Sequence, residues 1–142
     1  MKTLITILFL SLLSSPSWSE TQDDLRERDG VYYKRFSDVP FSGKVTGLSK
    51  GSIKNGMREG AWITYHFDGQ LHYKGNYKNG KREGAWISYW SNGQLRYKGN
   101  YENGEEEGMW VNYERVLRDG AWVRRVLIEG TGIFKNGVKI SD

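Results

Sequence analysis

The sequence predicts an all-β chain, an elongated antiparallel meander of stacked β-hairpin repeats laid out as a single-layer sheet. Three observations predict it. Residues 52 to 75 and 76 to 99 coincide at 16 of 24 positions without a gap, and a period of that size indicates stacked units that each need a neighbour to bury their apolar side. Within each unit, "AWISYW" and "QLRYKGNY" alternate with the period of two that belongs to strands. Between these runs stand Asp68 with Gly69 and Asn92 with Gly93, and the strings "NGMREG" and "NGKREG", all of them hairpin-turn signals.

Composition sets the outer bounds. A chain of 142 residues makes one ordinary domain. Its 18 Gly are accompanied by only 2 Pro, Pro16 and Pro40, so most of the chain is regular structure punctuated by turns. No Cys is present, and stability therefore comes from packing without disulfides. The formal net charge of +4 is too mild to indicate nucleic acid or an anionic membrane surface.

The elements follow in order. "MKTLITILFLSLLSSPSWSE" has one basic residue, Lys2, an apolar run over 4 to 13, and small residues at Ser17 and Ser19, the pattern of a secretory signal peptide over 1 to 19, cleaved after Ser19. The apolar run is about half of the roughly 20 residues that a spanning helix needs, so no stable membrane insertion is expected after cleavage. With no Cys to carry a lipid, the mature chain is expected in the periplasm or outside the cell. Residues 20 to 29, "ETQDDLRERD", read as a polar lead segment, loose or forming one helical turn.

The repeat domain is expected over 30 to 142. It opens on a degenerate unit with strand-like runs at 31 to 36 and 44 to 48, around Pro40. Three copies then carry Gly60, Gly84 and Gly108, Trp62, Trp86 and Trp110, and Tyr65, Tyr89 and Tyr113. After Tyr113 about nine residues are inserted before Asn136 and Gly137, and "GIFKNGVKISD" begins one more unit as a closing half. Nine or ten strands are expected, spanning about 45 Å at about 4.8 Å per strand.

Register has two solutions. A three-residue loop of Ser91, Asn92 and Gly93, with Gly93 in a left-handed bulge, groups Ala85, Ile87 and Tyr89 with Leu95, Tyr97 and Gly99. A two-residue turn instead sets Trp86 over Gly99 and beside Tyr97. The first is expected, because it makes one face apolar; "NGKREG" is expected as a second, longer turn ending in a positive-φ Gly.

"GNYKNGKREGAWISYWSNGQLRYKG" resembles the bacterial variant of the MORN repeat, and "RDGVYYKRFSDVPFSGKVTG" resembles the opening of YwqK-type antitoxins. The likeness covers about residues 28 to 137 and rests on the motif G-x-Y-x-N-G-x-x-x-G-x-W. It implies hairpins stacked side by side and a binding role in place of catalysis. The insertion departs from the pattern and puts any contact surface near 114 to 130 outside what the resemblance implies.

Candidate chemistry is sparse. "GNYKNGK" has the spacing of a phosphate loop, but Arg82 stands where Ser or Thr would hold magnesium and two strands replace the strand and helix. His66 and His72 flank one hairpin turn and read as a cross-strand surface pair, since structural zinc takes four ligands. Glu59, Glu83 and Glu107 recur in turns, and Glu105 and Glu106 add to them; as solvated turn residues they do not make the facing pair that glycoside hydrolysis needs. No enzyme, cofactor or metal site is expected. The recurring Trp either fill the space between hairpins or stand on an exposed face as platforms. The candidate binding surface is Trp62, Trp86, Tyr89, Trp90, Tyr97, Trp110 and Tyr113, with Trp90, which replaces His66 of the preceding copy, least bound by the repeat. The expected partner is a protein, with a cell-wall glycan or a choline-like head group of the wall held on aromatic rows as the alternative.

Overall fold

A computed structural model describes residues 19–127 and 129–142. The leader expected over 1 to 19 therefore lies outside the described residues, apart from Ser19. Eleven strands form one sheet in the spatial order β1 (Ser19–Thr21), β4 (Gly43–Thr46), β5 (Ser49–Lys54), β6 (Met57–Tyr65), β7 (Leu71–Lys78), β8 (Lys81–Tyr89), β9 (Leu95–Glu102), β10 (Glu105–Arg118), β12 (Gly132–Lys135) and β13 (Val138–Ser141). The eleventh, β11 (Ala121–Val126), pairs with the far half of β10, while β2 (Leu25–Arg28) and β3 (Val31–Lys34) form a hairpin of their own. Neighbours are antiparallel except β1 and β4. The all-β hairpin meander predicted from the repeat is what the chain adopts.

The strand count exceeds expectation at both ends. Of the two forms expected for residues 20 to 29, the single helical turn is present, a 3-10 turn over Gln22–Asp24, but strands flank it: β1 pairs with β4, and β2 pairs with β3. Leu25 supplies the apolar contact, packing on the cluster of Tyr32, Phe41, Val45 and Ile53. The charged residues beside it are held from outside: Arg26 donates to the Ser37 carbonyl at 2.8 Å, and the Arg28 guanidinium lies 4.6 Å from the Tyr33 ring centre. At the other end, the insertion forms the distal part of β10 and β11 around the turn at Asp119 and Gly120.

Turn geometry reverses the expected lengths. Asn79 and Gly80 both have positive φ, 49° and 79°, and Lys78 pairs directly with Lys81, so "NG" alone is a two-residue turn of the I′ kind. The residues "KREG" belong to β8. The Asp-Gly and Asn-Gly turns are instead the longer ones. Trp90 N–H donates to the Gln94 carbonyl and Gly93 N–H to the Trp90 carbonyl, leaving Ser91, Asn92 and Gly93 as the three-residue loop expected, with Gly93 at φ 77°.

The predicted grouping of side chains on one face does not hold. Tyr89 pairs with Leu95 but Ser88 with Tyr97, so Arg96 is an extra residue, and this second irregularity undoes the parity the loop had set. Trp86 therefore stands opposite Gly99, on the face of Tyr97 and Tyr101, while Ala85 and Ile87 point to the other face. The same pairing recurs one unit earlier, with Trp62 opposite Gly75.

A bulge in each unit then lays the indole down. Between β7 and β8, Asn76 faces Glu83 and Lys74 faces Ile87, so Gly84, Ala85 and Trp86 stand against Gly75 alone. Gly84 takes φ 66°, a conformation costly for other residues, to start the bulge. Trp86 leans over the preceding strand and covers Gly75, donating its Nε1–H to the Asn76 carbonyl at 3.1 Å. Trp62 does the same over Gly51 with the Ser52 carbonyl at 3.2 Å, and Trp110 over Gly99 with the Asn100 carbonyl at 2.9 Å.

Candidate binding surfaces

Trp62, Trp86 and Trp110 are 3%, 2% and 1% exposed, so as surface residues these three sequence-predicted candidates are corrected: they are the packing between strands. Burial is complete because tyrosines close on each indole. Tyr73 stacks on Trp86 at 5.7 Å between ring centres, and Tyr77 and Tyr101 meet it edge-on at 5.1 and 5.9 Å. An arginine tops each of the first two indoles. Arg82 lies 4.8 Å from the Trp86 ring and donates to the Tyr101 hydroxyl at 2.8 Å. Arg58 lies 4.7 Å from Trp62 and donates to the hydroxyls of Tyr77 and Tyr32 at 2.9 and 2.6 Å. In the third unit Glu106 replaces the arginine and Phe134 the tyrosine, so neither half of the pair is left alone.

The other candidates gather around one cleft on this face. Trp90, Tyr97 and Tyr113 are half-buried and, with the edge of Trp110, line a cleft of about 590 Å³ between the sheet and the β10–β11 hairpin. Tyr89 is half-buried but lies outside that lining. Sequence reasoning missed Trp122, which is 56% exposed at the cleft, because the insertion has no second copy to compare. Guanidinium groups and indoles alternate there: Arg96 lies 4.5 Å from the Trp90 ring, and Arg115 lies 5.6 Å from Trp90 and 5.3 Å from Trp122. The Trp90 Nε1–H is buried and has no hydrogen-bond partner among the described residues. Burial raises the Glu106 carboxyl above its ordinary range, against the opposing pull of Arg82.

The opposite face carries a larger feature that the sequence reading did not single out. An open trough of about 1170 Å³ runs across β4 to β10, its floor made by the exposed or half-exposed side chains of Ala61, Ile63, Ala85, Ile87, Met109 and Val111. Lys44, Lys50, Lys74 and Lys98 line it and are exposed. The signal was present in the repeat: Ala61 and Ala85, Ile63 and Ile87, and Lys74 and Lys98 each recur at 24 residues.

The recurring carboxylates are used by the backbone. Glu59 accepts the Asn79 N–H at 2.8 Å, Glu83 the Asn103 N–H at 3.0 Å and Glu107 the Asn136 N–H at 3.0 Å. Beside them, Gly80 N–H donates to the Arg58 carbonyl, Gly104 to Arg82 and Gly137 to Glu106, so each turn is docked on the unit before it. The expectation that these glutamates are merely solvated is corrected. His66 and His72 do meet across their hairpin, with ring centres 4.2 Å apart, and His66 Nε2–H donates to the Tyr89 carbonyl at 3.1 Å. Among the described residues no three His, Asp or Glu side chains converge as metal ligands.

Two segments, residues 58–79 and 82–103, match the MORN repeat variant, and they coincide with β6 and β7 and with β8 and β9. No curated protein matches the chain.

Proposed function

We propose that the chain is a noncatalytic repeat module that binds another protein through the trough face, acting in the cell envelope after export as an immunity-like partner of a secreted toxin. The trough carries this reading. One face of the sheet is closed by its own indoles, tyrosines and arginines, while the other leaves a continuous aliphatic floor in solvent, the kind of patch that marks an interaction site. The carboxylates that recur in every unit are engaged by backbone N–H groups, which supports binding over acid–base chemistry. The likeness of residues 28 to 137 to YwqK-type antitoxins supports the immunity-like role, and the leader pattern over 1 to 19 supports export.

Affinity capture from an envelope extract on the immobilised chain tests it. Retention of one protein near equal stoichiometry, lost with Ile87→Asp, is expected. No retained protein, or retention indifferent to Ile87→Asp, would overturn the reading. A second reading, cell-wall glycan binding, is favoured by the cleft, where exposed Trp122 offers a ring face. Binding to purified wall that disappears with Trp122→Ala would support it.

A further inference from the structure

The trough has a charge spacing that specifies more than a generic partner. Lys50 pairs with Ile63, Ile63 with Lys74, Lys74 with Ile87, Ile87 with Lys98, and Lys98 with Val111. Cross-strand partners share a face, so these six residues form one row across β5 to β10, alternating ammonium and aliphatic side chains. Strands lie about 4.8 Å apart, which places the lysines about 9.6 Å from one another. Lys74 and Lys98 have no carboxylate within ion-pair distance among the described residues, and Lys50 lies over the Tyr65 ring at 5.3 Å. Glu59, the carboxylate bordering the trough, is bound to the Asn79 N–H. With four lysines lining the trough against this one carboxylate, the row carries net positive charge at a fixed interval.

Backbone geometry decides what matches that interval. In an extended strand, residues on one face recur at about 6.6 or 13 Å, and a three-residue step of about 10 Å turns the side chain to the opposite face. An α-helix rises about 10.5 Å in seven residues and brings the seventh residue back to the same face. Across three lysines the two series drift apart by about 2 Å, within the reach of lysine's four-carbon stem. A polyproline II segment also repeats near 9.3 Å, but it docks on aromatic grooves, and the exposed floor here is aliphatic. Trp62 and Trp86 also border the trough, but at 3% and 2% exposure they present no open ring face for a sugar to stack on.

We propose that the trough takes an amphipathic helix lying across the strands, with Asp or Glu at every seventh position meeting Lys50, Lys74 and Lys98 and an apolar stripe resting on Ile63, Ile87 and Val111. The proposal rests on the protein-binding reading above and names the chemistry of the partner. Two synthetic 28-residue helical peptides of identical composition serve as probes, one with Glu every seventh residue beside a Leu stripe and one with the same Glu dispersed around the helix. Anisotropy with the full chain is expected to give at least tenfold tighter binding of the first. The double variant Lys74→Glu, Lys98→Glu, altering two exposed side chains, should remove that preference, and Trp122→Ala should leave it intact. Equal binding of both peptides, or a preference that survives the double variant, overturns the proposal. If the peptides fail while an extract protein is still retained in an Ile87-dependent way, the helix is wrong and protein binding stands; loss of both ends both. Vesicles of phosphatidylglycerol form a separate arm, and binding to them without peptide selectivity would also count against the helix.

Discussion

At Gly75 the absence of a side chain is a steric requirement. A Cβ there would sit 2.3 Å from Trp86 Cδ2, and the equivalent atom on Gly51 or Gly99 would meet Trp62 or Trp110 at 2.3 and 2.2 Å. Gly69 has a different reason for being Gly: its surroundings are open, but its φ is 84°. Gly75→Ala is therefore expected to displace the Trp86 indole and break its bond to the Asn76 carbonyl, lowering stability by about 1–3 kcal/mol, the cost of overpacking. Gly69→Ala should cost about 1–2 kcal/mol through backbone strain alone and leave Trp86 in place. Urea unfolding with indole Nε1–H chemical shifts separates the two, and an unmoved Trp86 signal in Gly75→Ala would refute the steric account. The tryptophans and glycines were legible in the sequence as repeated letters. Their partnership was not, because it depends on a bulge that sets three residues against one, and strict alternation does not represent that step.

In the β6–β7 hairpin the loop length was readable and the facing residues were not, since the extra residue after the loop lies in a strand with no turn signal to mark it. His66 and His72 illustrate what the hairpin does place correctly: both flank the Phe67, Asp68 and Gly69 loop and come together as expected. Burial, followed by the charge of His66 and of Arg96, lowers the His72 imidazole below its ordinary 6.5. The neutral form is the one the fold prefers. Its contribution is whole above about pH 6.5, where the unfolded group is neutral as well, and is lost as pH falls toward the lower folded value. Acidification from pH 7.5 to 5.5 should thus lower the urea midpoint of the native chain more than that of His72→Gln. Identical pH profiles for the two would remove the pair from the pH response. The next unit holds Trp90 and Arg96 in the same two places, 4.5 Å apart, a pair without that titration.

Over the whole molecule, contacts run from each hairpin to its neighbours, as a 24-residue period implies. Deletion of residues 76 to 99 joins Gly75 to Asn100 and so restores the native Gly-Asn step. The shortened chain should retain a β-sheet circular dichroism spectrum, unfold at a lower urea midpoint, and have a trough shorter by about 9.6 Å. An unfolded product would show that the array is cooperative beyond nearest neighbours. The stack was legible at this scale because repetition needs no knowledge of register. The β10–β11 hairpin was less so: Asp119 and Gly120 mark its turn, but with no second copy no repeat spacing decides which strand it extends.

The docking of each turn has a direction. Asn79 and Gly80 bring N–H groups to acceptors on Arg58 and Glu59, and Asn103 and Gly104 bring theirs to Arg82 and Glu83, so every acceptor precedes its donor in the chain. The array has a grain. A chain that emerges N-terminus first finds each landing place already laid down by the hairpin before it, and the order of emergence becomes an order of assembly.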